Sequence, residues 1–246
     1  MANFDPRTAY GTTGSVPRSG AVARDEGLRT YMLSVYNYMA SGVLLTGLVA
    51  IAMVYTGAIS ALFTPTGPSI LGWVVMFAPL GLVMWLGFGI NRLSEGAAKT
   101  IFWVYAALMG MSLSTIFLAY TGASIASTFF ASAAAFGALS LYGYTTKKDL
   151  SGFGTFLIMG LVGIIVASLI NLFVQSSGLQ FAISLLGVLI FAGLTAYDTQ
   201  KIKNMYDYVG GTDFRGKSIV MGALTLYLDF INLFLFLLRF MGSNRE

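Results

Sequence analysis

The chain contains seven apolar segments, each about 20 residues long, which is the length a helix needs to cross a bilayer. No water is present in hydrocarbon to satisfy backbone N–H and C=O groups, so such segments must be helices rather than open strands. The sequence therefore predicts an all-α integral membrane protein, a bundle of seven transmembrane helices. The predicted segments are Met32–Tyr55, Ile70–Ile90, Thr100–Tyr120, Ser124–Tyr144, Phe153–Gln175, Leu179–Lys201 and Ile219–Phe240.

Composition supports the membrane assignment and divides the chain into two parts. Hydrophobic residues make up 57% of the 246 residues and charged residues only 10%, whereas soluble domains carry about 25% charged residues. Residues 1–30 are polar, include Pro6 and Pro17, and lack the apolar core of a secretory signal. We expect these residues to form a disordered cytoplasmic tail, and residues 31–242 to form the transmembrane domain.

The distribution of basic residues predicts the orientation of the bundle. The loops opposite the tail, Thr56–Ser69, Thr121–Ala123 and Ser176–Gly178, carry no charge, and only Arg239 and Arg245 fall on that side. The other twelve of the fourteen basic residues lie in the tail and the loops on its side. Because basic residues accumulate on the cytoplasmic side, the N-terminus is predicted to be cytoplasmic.

The chain contains no histidine and no cysteine. Disulfides, thiolate metal sites, Ser-His-Asp triads and the usual zinc sites are therefore excluded. Any pH response near neutrality must come from carboxyl groups whose surroundings disfavour their charge. The lipid bilayer is the expected environment, and we expect neither a tightly bound cofactor nor a nucleic-acid partner.

Asp229 lies inside the last apolar segment, between Leu228 and Phe230. About eleven residues of helix place it on the order of 16 Å from the cytoplasmic end, near the middle of a core about 30 Å thick. A charged side chain there costs roughly 2.5–3.5 kcal/mol on insertion scales, and such residues mark ion or proton pathways. The alternative is a neutral carboxyl that bridges two helices.

Three further residues are candidates for the same site. Asp198 lies near the predicted cytoplasmic end of the sixth segment, so the alternative for it is an interfacial charge beside Lys201. Asn232 shares a helix face with Asp229 and is expected to support it with a hydrogen bond. Arg92 ends the second segment on the same side of the membrane as Asp198. It is either a latch that pairs with the carboxylates or an ordinary arginine that extends its charge to the membrane surface.

The two aspartates would titrate as one unit if their carboxyl groups approach each other. Such a pair shares a proton and holds the sixth and seventh helices together. Loss of that proton leaves two like charges in a low dielectric, which must separate, take up a cation or pair with an arginine. The pair is therefore a candidate pH sensor with two states.

Two stretches carry a resemblance to a known family. The sequences GLTAYDTQKIK at Gly193–Lys203 and LYLDFINLFLFLLRFMG at Leu226–Gly242 resemble those of the Bax inhibitor family of transmembrane proteins. The resemblance covers residues 30–242. It implies a seven-helix bundle around a central helix, which acts in the bacterial inner membrane as a pH-sensitive calcium leak. The family's two functional aspartates match Asp198 and Asp229, and its latching arginine falls at Arg92.

Three functions are compatible with a carboxyl pair inside a helical membrane bundle. For a leak gated by protonation, Asp198 and Asp229 would form a weak Ca²⁺ site, because two carboxylates supply too few of the six to eight oxygens that Ca²⁺ prefers. In the second, the chain binds and regulates another membrane complex, such as a quality-control protease or a cell-death regulator. The third is an intramembrane aspartyl protease.

The enzyme hypotheses lack their sequence signatures. Tyr227-Leu228-Asp229 does not match the Gly-x-Gly-Asp pattern of intramembrane aspartyl proteases, and no proline follows Pro79. A retinal protein needs a buried Schiff-base lysine, which the last segment does not contain. We therefore expect a protein without enzymatic activity, in which Ca²⁺ is the transported ion.

Overall fold

A computed structural model describes residues 18–243 and residue 245 of the chain. It contains seven helices that are long and apolar enough to cross a membrane. The predicted fold class is therefore confirmed. The cytoplasmic orientation of the N-terminus stays a prediction, and residues 1–17 of the expected tail lie outside the described residues.

The elements follow one another with short connections. A 3₁₀ turn and a two-stranded antiparallel hairpin, in which Phe63 pairs with Pro68, separate the first two helices. The bounds are α1 Arg18–Tyr55, the 3₁₀ turn Ala58–Leu62, β1 Phe63–Thr64, β2 Gly67–Pro68, α2 Ile70–Gly89, α3 Glu95–Leu113, α4 Ile116–Ala119, α5 Gly122–Thr145, α6 Ser151–Val174, α7 Ser177–Val209 and α8 Arg215–Met241.

Local sequence explains where several helices begin. Four of them start after a serine or threonine whose hydroxyl accepts a hydrogen bond from a backbone N–H three residues further on; these residues are Ser69, Ser94, Thr121 and Ser176. Such a cap contributes about 1 kcal/mol, because it satisfies a donor that the first turn leaves free.

Residues 18–30 are helical, so the expected disordered tail of residues 1–30 is wrong for this part. The reason is tertiary packing. Leu28 is buried, and the rings of Tyr31 and Tyr206 lie 5.4 Å apart between α1 and α7. The Arg24 guanidinium donates to Asp207 Oδ1 from Nε at 2.9 Å and from Nη2 at 2.6 Å. The extended α7 thus supports the first turns of α1.

The Arg24–Asp207 pair is expected to contribute little to global stability. Both side chains are about half exposed, at 53% and 46%, and exposed pairs are worth about 1 kcal/mol or less. Asp207→Asn should therefore increase amide hydrogen exchange in the first turns of α1 and leave the thermal midpoint nearly unchanged. Asp213→Asn, an exposed acid, is the control. A large drop in the midpoint would show that this pair holds the bundle together.

The predicted third helix, Thr100–Tyr120, is interrupted in the structure. It is divided into α3 and α4 around Ser114. The Ser114 hydroxyl donates to the Met111 carbonyl at 2.6 Å, and its N–H is shared between the Gly110 and Met111 carbonyls. Serine competes with the helix backbone for hydrogen bonds in this way, and the last turn tightens as a result.

Helix α8 is the centre of the bundle. In its most apolar window 67% of the residues are buried, against 11% in α6. It packs against α7, α1, α5 and α3, whereas α6 packs mainly against α7. A carboxyl group on the inner face of α8 is therefore enclosed by protein on several sides.

Candidate functional site

Helices α7 and α8 bring Asp198 and Asp229 together. Their carboxyl groups lie within hydrogen-bonding reach of each other. Asp229 is 4% exposed, while Asp198 is half-buried. Two carboxyl groups at this separation cannot both carry a charge in a low dielectric without a counterion, so they share a proton or bind a cation.

The pair lies on a cleft of about 640 Å³ between α6, α7 and α8. The walls are largely apolar, and six polar or charged residues face the cleft along α7 and α8: Tyr197, Asp198, Lys201, Thr225, Asp229 and Asn232. The cleft is large enough to hold water around an ion.

One oxygen of the pair, Asp229 Oδ2, is fully buried and has no hydrogen-bond partner among the described residues. An unsatisfied buried acceptor costs about 1–3 kcal/mol, and more when it is charged. A shared proton, a water molecule or a cation at this oxygen removes that cost, so the site is suited to exchange among these three.

Lys201 is the basic residue that lines the cleft of the pair. Its Nζ is 5.9 Å from the centre of the Tyr197 ring. Lys203 points away, because its Nζ donates to the Tyr144 carbonyl at 2.7 Å. The ion pairs of the described chain do not join either lysine to Asp198. Asp198 therefore faces Asp229 rather than forming an ion pair at the membrane surface.

Asn232 is on the cleft, but it does not make the bond that we expected. Its Nδ2 donates to the Leu228 carbonyl at 2.8 Å instead of to Asp229. A side-chain amide four residues along a helix reaches a backbone acceptor easily, and that bond satisfies it in apolar surroundings. Its carbonyl oxygen is the group that remains for a ligand in the cleft.

Arg92 lies apart from the pair in this conformation. It follows the end of α2 in an exposed turn, where its N–H donates to the Gly89 carbonyl at 2.9 Å. It is absent from the ion pairs found within residues 18–243. The latch stays a prediction, which requires a movement of the turn after α2.

Asp198 and Asp229 are the acidic residues that line the cleft. No group of three or more His, Cys, Asp and Glu residues occurs within the described residues. A cation held between Asp198 and Asp229 must therefore complete its shell with water, backbone carbonyls or the Asn232 oxygen. Such a shell binds a hard cation weakly and releases it readily.

Two buried hydroxyl groups next to α8 escaped the sequence analysis. Thr46 Oγ1 donates to the Ala106 carbonyl at 2.8 Å and accepts from the Tyr227 hydroxyl at 2.7 Å. This network joins α1, α3 and α8 two residues before Asp229. In the sequence, this network is indicated only by the presence of Thr46 and Tyr227 inside apolar segments.

The fold and the site together define a class: a polytopic membrane protein with a carboxyl pair on and beside a central helix. Comparisons with known proteins identify the family. A family model described as "Inhibitor of apoptosis-promoting Bax1" matches residues 28–246. The chain therefore belongs to the Bax inhibitor family, and the resemblance seen in the sequence is confirmed.

Relatives in several bacteria share nearly the whole chain. A protein of Rickettsia prowazekii is 54% identical over 223 residues, which cover 90% of this chain and 93% of the relative. Inner membrane protein YbhL of Escherichia coli is 49% identical over 232 residues, covering 93% and 98%. A membrane protein of Streptococcus pyogenes is 39% identical over 220 residues, covering 89% and 95%.

Proposed function

We propose that this chain is a pH-sensitive leak channel for Ca²⁺, in which protonation of the Asp198–Asp229 pair controls the cation path. The observation that supports the proposal best is the meeting of two carboxyl groups from adjacent helices in a cleft between α6, α7 and α8. In a chain without histidine, this pair is the group best placed to change charge inside the bundle.

Protons and Ca²⁺ compete for the same oxygens in this proposal. Binding of the cation requires both carboxyl groups to be ionised, so it releases the shared proton. Cation affinity therefore rises with pH, and saturating Ca²⁺ favours the ionised pair. When neither proton nor cation is present, repulsion between the carboxylates drives α7 and α8 apart, and Arg92 is the candidate to pair with one of them.

The proposal places the protein in the inner membrane of a bacterium, the location that its relative YbhL carries in its name. It includes no catalytic reaction and no tightly bound cofactor. Ca²⁺ and protons are the ligands, and the bilayer is the surrounding partner.

Ca²⁺ flux into proteoliposomes tests the proposal. Wild-type protein should carry Ca²⁺ faster than protein-free liposomes of the same lipid, and the rate should change between acid and neutral pH. Flux equal to that of empty liposomes at every pH would exclude the leak. In that case the leading account would be the alternative, a protein that binds and regulates another membrane complex, such as a quality-control protease or a cell-death regulator.

A further inference from the structure

The cleft of the aspartate pair continues into two neighbouring clefts. On one side it shares Tyr197 and Lys201 with a cleft of about 270 Å³ at the end of α7. On the other side it shares Ser168 and Leu169 with a cleft of about 490 Å³ at the opposite end of α6. Because each neighbouring cleft shares lining residues with the cleft of the pair, the three clefts lie end to end along the protein surface. We call this row of clefts the α6–α8 furrow.

The α6–α8 furrow is long enough to cross the bilayer. Its wall on α6 runs from Ser151 to Leu172, a rise of roughly 32 Å, compared with a hydrocarbon core about 30 Å thick. Helix α6 packs mainly on α7. Furrow residues of α6 such as Ile158 and Ile165 are 48% and 52% exposed on the surface that meets lipid. The furrow is therefore open sideways to the bilayer.

Polar groups occur along the whole length of the furrow. Lys201 and Asn204 lie at one mouth, and Arg239 with Gln180 lies at the other. The carboxyl pair and Asn232 occupy the interval between the mouths, followed by Ser168. The order of charges is cation, carboxyl pair, cation.

We propose that the α6–α8 furrow transfers phospholipid headgroups between the two leaflets, which is lipid scrambling. The lipid is zwitterionic, with a phosphate and an ammonium group, as in phosphatidylethanolamine. At either mouth the phosphate meets Lys201 or Arg239, while the ammonium group points towards the carboxyl pair. The acyl chains stay in the bilayer beside the apolar residues of α6.

The physical basis is the cost of a polar group in hydrocarbon. A headgroup that crosses a pure bilayer loses its hydrogen bonds and its hydration. A furrow with polar side chains at successive depths replaces part of them, so the barrier falls. Arg239 is exposed at its mouth, with its guanidinium 5.7 Å from the centre of the Phe236 ring, and a phosphate can pair with it bidentately. The proposal does not depend on the Ca²⁺ leak.

Dithionite reduction of a fluorescent lipid tests the inference. Proteoliposomes of phosphatidylethanolamine and phosphatidylglycerol carry a trace of phosphatidylethanolamine with a nitrobenzoxadiazole label on one acyl chain. Dithionite bleaches only the outer leaflet, so protein-free vesicles lose about half of the fluorescence. Wild-type protein should take the loss close to completion. Ca²⁺ flux is measured on the same preparation.

Serine-to-leucine changes locate the path. Ser168→Leu puts an apolar side chain into the furrow, where it should slow lipid transfer at least several-fold. Ser127→Leu is the matched control, because Ser127 is exposed on α5 outside the furrow. Asn232→Leu serves as a second furrow variant if Ser168→Leu does not fold.

Each result decides a separate statement. Wild-type bleaching that stops at the level of empty vesicles overturns the inference, even when Ca²⁺ flux is present. Scrambling that is unchanged in both furrow variants overturns the assignment to the α6–α8 furrow. Scrambling in the absence of Ca²⁺ flux would leave this inference standing and reject the leak.

Discussion

Asp198→Asn and Asp229→Asn are each expected to abolish the pH dependence of Ca²⁺ flux. An amide has the shape of a carboxyl group but cannot lose or gain the shared proton near neutral pH, so the remaining carboxyl no longer has a like charge to repel. The measurement is Ca²⁺ flux into proteoliposomes across several pH values. The rate of Ca²⁺ flux should be the same at every pH for each variant, whereas the wild-type rate should change with pH.

Asp149→Asn is the control for this experiment. Asp149 lies in the exposed loop between α5 and α6, where hydrogen bonds from the Ser151 side chain and backbone N–H hold its pKa below the ordinary value. A lowered pKa keeps Asp149 ionised at neutral and mildly acidic pH, so its removal should leave the profile intact. If Ca²⁺ flux through Asp198→Asn and Asp229→Asn still changes with pH as it does in the wild type, the pH sensor lies elsewhere.

Gly143→Val is expected to destabilise the bundle by about 3 kcal/mol. Gly143 is buried on α5, and a Cβ at this position would lie against the backbone carbonyl of Ala196 on α7. A backbone carbonyl cannot rotate away as a side chain does, so the two helices must separate, and overpacking of this kind costs 1–3 kcal/mol or more. The measurement is the midpoint of denaturant-induced unfolding in micelles.

The same substitution at Gly137 provides the comparison. Gly137 is on the same helix, and a Cβ there would meet nothing within 4 Å. Gly137→Val should therefore stay within about 0.5 kcal/mol of wild type. Equal midpoints for the two variants would contradict the close packing of α5 on α7. Because α7 carries Asp198, a loosened α5–α7 contact should also weaken the pH response.

The buried position of the pair connects these expectations to the fold. Asp229 is on the central helix, and Asp198 is on the helix that packs against it most extensively. A change in charge at the pair therefore acts directly on the α7–α8 contact. In a bundle that lipid cannot hold together by hydrophobic burial, a contact between two helices is sensitive to one proton or one cation.

The sequence determined the membrane class, the number of helices and the two aspartates. These follow from local requirements: apolar segments must be long enough to cross hydrocarbon, and a carboxyl group inside one of them is costly enough to stand out. The pattern at Asp198 and Asp229 therefore singled out these residues as the candidate site, and the structure places them next to each other.

The tertiary structure decided what these residues contact. Residues 18–30 look like a polar tail, but the pairing of Arg24 with Asp207 and the burial of Leu28 against other helices keep them helical. Asn232 hydrogen-bonds its own helix rather than Asp229. The alignment of the clefts that form the α6–α8 furrow also depends on how three helices pack. Contacts between residues distant in the chain are set by the summed packing of all helices, which no single segment encodes.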